Sequence, residues 1–137
     1  MPDQPGEIWL RFVDGRPVSA VTIDFLDWCC ARLEARGTRV WVMIWDNAAW
    51  HLSRAVRTWV HEHNRTVKHS GQGVRILACR LPVKSPWLNP IEVYWHHGKR
   101  QTVEPGRLLT SNELEQRVCD YYNCPTEPHL VIPQKVA

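Results

Sequence analysis

Two periodicities take turns along the chain. Residues 7–13 (EIWLRFV) alternate roughly between apolar and polar positions and run into Asp14-Gly15, a turn pair, so a strand is expected there. From Thr22 the spacing changes: Val21, Phe25, Trp28, Cys29 and Leu33 recur as on one face of a helix. Asp24 and Asp27 in its first turns, Arg32 and Arg36 in its last, and a closing Gly37 complete a helix over 22–36. Residues 39–45 (RVWVMIW) then run apolar without alternation and stop at Asp46. That pattern predicts a central, parallel strand buried on both faces.

Ser53 fits an N-cap, and Val56, Trp59, Val60 and His63 mark the inward stripe of a second helix reaching about residue 67. A loop at 69–73 (HSGQG) leads to a short apolar strand at 74–79 (VRILAC). Pro82, Pro86 and Pro90 make the next segment extended and stiff. Asn89 and Pro90 suit the cap and first position of a helix over 90–101. Thr-Ser-Asn-Glu at 110–113 opens a last helix as a capping box, expected to bury Leu114, Val118 and Tyr121. Residues 124–137 form a Pro-rich, extended tail. The order predicts one α/β domain over 1–137, with parallel crossovers and helices on both faces of the sheet.

Composition adds bounds. At 137 residues and 44% apolar content the chain can bury a real core, and the eight Trp give it bulk. No apolar run approaches the ~20 residues of a membrane span, and the first residues lack a basic region followed by an apolar one. No membrane role and a cytoplasmic location are expected. Net charge is +3 but unevenly spread: residues 1–36 carry −2, residues 37–107 carry +7 and residues 108–137 carry −2. The basic excess surrounds Asp46, which suits either a polyanion on one face or a solvated basic surface. The five Cys show no C-x-x-C spacing and read as buried free thiols. His61 and His63, two apart, do not share a helix face, and a solvated edge suits both.

The chemistry turns on two acids. Sites in α/β sheets form beyond the carboxyl ends of strands, where Asp46 is expected. Asp46-Asn47 also fits a plain turn, and Glu92, three after Asn89, fits a capping box. Jointly, carboxylates from separate elements at one sheet rim could hold Mg²⁺ or Mn²⁺, which take oxygen ligands and can clamp both oxygens of a phosphoryl transfer.

The sequence WDNAAWHLS followed by LPVKSPWLNPIEVYWHHGKR resembles the catalytic domain of DDE-type transposases, in the bacterial insertion-sequence branch of the mariner superfamily. The matching positions are Asp46, Asn47, His51, Leu81, Pro82, Ser85, Pro86, Leu88, Asn89, Pro90, Ile91, Glu92, Trp95 and Lys99. The resemblance implies a ribonuclease-H-like fold. It implies Asp46 and Glu92 as the second and third catalytic, metal-binding acids, with Mg²⁺ or Mn²⁺ as cofactor. Asn47, His51, Lys84, Asn89, Lys99 and Arg100 would support the acids or contact DNA. The family's first Asp, expected on a strand upstream of the first long helix, has no counterpart: Asp3 lies in a Pro-rich lead and Asp14 in a turn. The chain thus resembles an N-terminally truncated catalytic domain, inactive alone, whose partners would be DNA and either the missing transposase part or a full-length homologue. The other reading is a non-catalytic module, derived from a transposase, that binds DNA or pairs with one.

Overall fold

A computed structural model describes residues 6–16, 18–82, 91–102 and 108–131, with the side chains of Trp50, Glu92 and Val93 outside that description. The element order is β1 (Val13–Asp14), α1 (Ser19–Ala35), β2 (Val40–Trp45), α2 (Ala49–Leu52), α3 (Arg54–Ser70), β3 (Arg75–Arg80), α4 (Ile91–Thr102), α5 (Ser111–Tyr122) and β4 (Leu130–Val131). The chain divides into two compact units, one of residues 1–12 and 90–129, the other of 13–89 and 130–137. Among the described residues, no helix is long and apolar enough to cross a membrane.

In the second unit β2 and β3 pair in parallel, from Val40 opposite Arg75 to Trp45 opposite Arg80. This is the expected crossover, with α3 as its helix. Ser53 caps α3 by accepting the Val56 N–H at 3.3 Å, and Gly71, with φ 68°, closes it in the left-handed conformation that glycine tolerates. The core joins Leu26 and Cys30 of α1, Met43 of β2, Val56 of α3 and Ile76 of β3, flanked by Ile23, Trp41, Trp45, Trp59 and Val60. Burial, reinforced by Asp27 and Glu34, pushes the Cys30 thiol up to about 11, so it stays neutral.

The expected burial of both sheet faces does not occur. Trp41, Met43 and Ile76 face the core, while Val40, Val42 and Ile44 remain 51%, 58% and 56% exposed, beside exposed Leu77 and Cys79. Unbroken apolar sequence reported a strand able to be covered twice, whereas here the helix-packed core lies on one side. Residues 7–12 are not a strand either. Only Val13–Asp14 pairs, in parallel with Leu130–Val131, so Asp14 belongs to a strand rather than a turn. Helix α1 starts at Ser19, which leaves no acid in its first turn and puts Asp24 and Asp27 farther along. Cys79 is exposed, contrary to a buried thiol, because it lies on the bare face.

His63 is not on a solvated edge. Its Nε2 donates to the Val74 carbonyl at 2.6 Å, its ring stacks on Trp59, and Cys30 Sγ lies 3.7 Å away. The neighbouring Asn64 makes two bonds to one residue of β3. Its Nδ2 donates to the Ile76 carbonyl at 2.9 Å, and its Oδ1 accepts the Ile76 N–H at 2.8 Å. Arg75 N–H donates to Arg39 and Leu81 N–H to Trp45, so these odd-numbered β3 positions face β2 and Ile76 faces outward. Asn64 therefore seals the outer edge of β3 at a buried position.

The first unit contains α4 and α5. Thr110 caps α5 by accepting the Glu113 N–H at 3.2 Å, as the capping-box letters imply. The buried stripe is Glu115, Val118 and Cys119, while Leu114 and Tyr121, expected inside, are exposed. Glu115 tolerates burial because His129 Nε2 sits 2.7 Å from its Oε2. Arg11 Nε and Nη2 donate to the Pro128 carbonyl at 3.0 and 2.7 Å, tying residues 6–12 to the chain after α5.

Gly98 shows why α4 carries a glycine mid-helix. The Tyr122 side chain lies where a Cβ would stand, and its hydroxyl donates to the Tyr94 carbonyl at 2.6 Å. Gly98→Ala should gain about 1 kcal/mol of helix propensity but lose more to overpacking, about 1–3 kcal/mol. Thermal melts should show net destabilisation that shrinks in the Tyr122→Ala background. A Gly98→Ala protein as stable as the parent would contradict this packing.

Candidate active site

Asp46 follows the last residue of β2, at the carboxyl end of a parallel pair, as the sequence predicted. Its carboxylate is oriented from one side only. Oδ1 accepts the Ala48 N–H at 3.1 Å, closing a turn over two residues, and also meets His51 Nδ1 at 2.8 Å. A carboxylate only accepts, so Nδ1 carries the hydrogen in that contact. His51 is itself held by stacking on Trp45, with centroids 4.7 Å apart and planes 12° from parallel. The short helix α2 exists at the right place to deliver His51, five residues after the acid.

Asn47 points elsewhere. Its Nδ2 donates to the Leu81 carbonyl at 2.8 Å, joining the ends of β2 and β3 just where both strands stop. It thus fixes the rim instead of adding a donor to it. Side-chain exposure of 51% leaves Asp46 open to solvent while Oδ1 is occupied. The turn reading and the functional reading are therefore compatible, since one oxygen serves the turn and the carboxylate still faces water.

The remaining candidates lie in the other unit or outside the description. Glu92 is the second residue of α4, and its side chain is outside the described residues. Lys84 and Asn89 are outside them as well, as are the prolines at 86 and 90. Lys99 and Arg100 occupy the last turn of α4, exposed, with Lys99 Nζ 5.1 Å from the Trp95 ring centroid. Sequence reasoning missed the part played by Trp45, and the only available signal was an aromatic residue immediately before the acid.

Among the described residues no group of three or more His, Cys, Asp or Glu side chains could hold a metal ion. The donor chemistry at Asp46 nevertheless fits a hard cation, because Mg²⁺ is commonly held by only one or two carboxylates with water and phosphate oxygens completing the shell.

The described geometry is thus an α/β layer with an acid beyond the carboxyl end of a parallel strand, held by an imidazole. The chain belongs to the DDE superfamily endonucleases: the family model matches residues 3–115, from before β1 into α5. The family carries a ribonuclease-H-like fold and a transposase- or nuclease-type function. No curated protein and no solved structure matches the chain.

Proposed function

We propose that the chain is a catalytic-domain portion of a DNA transposase, of the bacterial insertion-sequence branch of the mariner superfamily. Asp46 and Glu92 together hold Mg²⁺ or Mn²⁺ in this reading, and both units serve one catalytic domain. The observation that carries it is Asp46 at the rim, with Oδ1 bound by His51 and Ala48 and the carboxylate still exposed. A divalent ion bound there supplies Lewis-acid polarisation of phosphodiester oxygens and an acidified water. The protein's own part is to hold the acid still, through His51 and Trp45, and to keep the two strand ends in register through Asn47. Lys84, Asn89, Lys99 and Arg100 lie in or just after the motif and would meet the DNA.

In this account the metal is held through Asp46 and Glu92 alone, which makes the chain a poor nuclease by itself; Asp14, on strand β1 before α1, has no metal-binding role in it. A partner polypeptide, either the rest of a transposase or a full-length homologue, would complete it. Support comes from β2. The backbone groups of Val40, Val42 and Ile44 alternate with those that face β3, and among the described residues no strand pairs with them. Their exposed side chains form an apolar patch of the kind that marks association surfaces. The same patch favours the second reading, a non-catalytic module that pairs with a transposase and binds DNA.

Mn²⁺ titrated into the chain and into an Asp46→Asn, Glu92→Gln variant separates the two. Saturable uptake that the variant loses, with weak metal-dependent nicking of DNA, is the result expected. DNA binding without acid-dependent uptake would leave only the non-catalytic module.

A further inference from the structure

We infer that the solvent face of α3 is a track for the sugar-phosphate backbone of duplex DNA, leading away from the Asp46 rim. The inference rests on the preceding reading that the chain acts on DNA, and it assigns that contact to residues outside the motif. Arg54, Arg57, His61, Arg65 and Lys68 recur at steps of three, four, four and three residues. At 100° per residue they fall within an arc of about 80°, and the stripe from Arg54 to Lys68 is about 21 Å long. All five are exposed. The opposite side of the helix is committed, with Val56 fully buried and Trp59, Val60 and His63 packed inward.

Both ends of the stripe are placed within this unit. Its Arg54 end adjoins the rim, since Ser53 caps the helix directly after α2, which delivers His51 to Asp46. Its Lys68 end opens into a groove of about 680 Å³, where His61, Arg65, Lys68 and His69 of α3 meet Arg75 of β3. Arg75 pairs with Val40 at the start of the sheet, so the groove lies at the end of β2–β3 opposite Asp46. Cations from two elements converge there, and among the described residues no acid lines the groove. The one acid of α3, Glu62, sits about 60° to the side of the stripe.

A polyanion with regularly spaced charge fits this better than a small anion. Duplex DNA rises about 3.4 Å per base pair, so 21 Å of helix spans about six base pairs. An ordinary solvated surface would mix its charges, as α5 does with Glu113, Arg117 and Asp120. Asn64, which also lines the groove, is held by Ile76 and stiffens its floor.

The test is duplex binding by the full chain, followed by fluorescence anisotropy of a labelled oligonucleotide over a series of salt concentrations. Each lost phosphate contact should flatten the plot of log affinity against log salt by about 0.9. An Arg57→Gln, Arg65→Gln, Lys68→Gln variant should therefore lose about 2.7 from the slope. Arg57→Lys with Arg65→Lys should keep it, and Arg32→Gln with Arg36→Gln at the carboxyl end of α1 should leave it unchanged. If the triple variant loses its helical circular dichroism, Arg65→Gln alone decides, with an expected loss of about 0.9. A parental slope in the folded α3 variant, or an equal loss in the α1 variant, overturns the track while leaving DNA binding intact. No salt-dependent binding by the parent overturns the DNA reading and the track together.

Discussion

Replacing Asn64 with alanine should lower the unfolding free energy by about 2–4 kcal/mol, read from urea denaturation. The side chain satisfies both the N–H and the carbonyl of Ile76, a residue only 2% exposed. An unsatisfied buried backbone group costs about 1–3 kcal/mol, and here two are orphaned at once. No strand lies on that side of Ile76 among the described residues to take over the bonds. Asn64→Asp should also destabilise, because it keeps the acceptor for the N–H but sets an oxygen against the Ile76 carbonyl. Against a total stability of about 5–15 kcal/mol for a typical domain, the alanine variant should be visibly less cooperative or partly unfolded when warmed. A change under about 0.5 kcal/mol, the range of ordinary surface substitutions, would show that Asn64 does not seal the edge.

His51→Ala should weaken Mn²⁺ binding about 10–100-fold, the usual consequence of removing a hydrogen-bond partner behind a metal-binding carboxylate. The reason is positional. His51 Nδ1 holds Oδ1 at 2.8 Å and is itself clamped by the Trp45 ring, so the acid keeps one orientation. Without it, Asp46 retains only the Ala48 amide and regains side-chain freedom that ligation must then remove. His51→Asn, which offers a side-chain N–H on a shorter arm, should recover part of the affinity. Isothermal titration with Mn²⁺ checks the order: parent tightest, His51→Asn next, His51→Ala weaker, Asp46→Asn weakest. A His51→Ala protein that binds as tightly as the parent would mean that His51 serves only the turn.

The strands and helices that carry Asp46 were legible because their signals are local. Ser53 and Thr110 announced their caps, Gly37 closed α1, and the apolar run 39–45 announced β2. The parallel pairing with β3 followed from a helix between two strands, and the position of Asp46 just beyond β2 followed from an acid at the end of the apolar run. What failed was long-range. No periodicity tells that Val42 and Ile44 stay uncovered, since coverage depends on what packs against the strand. β1 was misplaced because its two residues take their partner from β4, over a hundred residues away. In α5, Glu115 displaced Leu114 from the buried side because His129 supplies its partner, a pairing that local spacing does not encode. For His63 the inward-stripe spacing held and the solvated-edge reading failed, and its bond to Val74 comes from tertiary packing.

The central claim is that Asp46 and Glu92 serve the same ion, and paramagnetic broadening by Mn²⁺ tests it most directly. In a heteronuclear NMR titration of the full chain, substoichiometric Mn²⁺ should broaden the amides of residues 45–48 and 91–93 together, and Asp46→Asn should abolish both effects. Broadening confined to one segment, or effects at 91–93 that persist in the Asp46→Asn protein, would contradict a shared metal site.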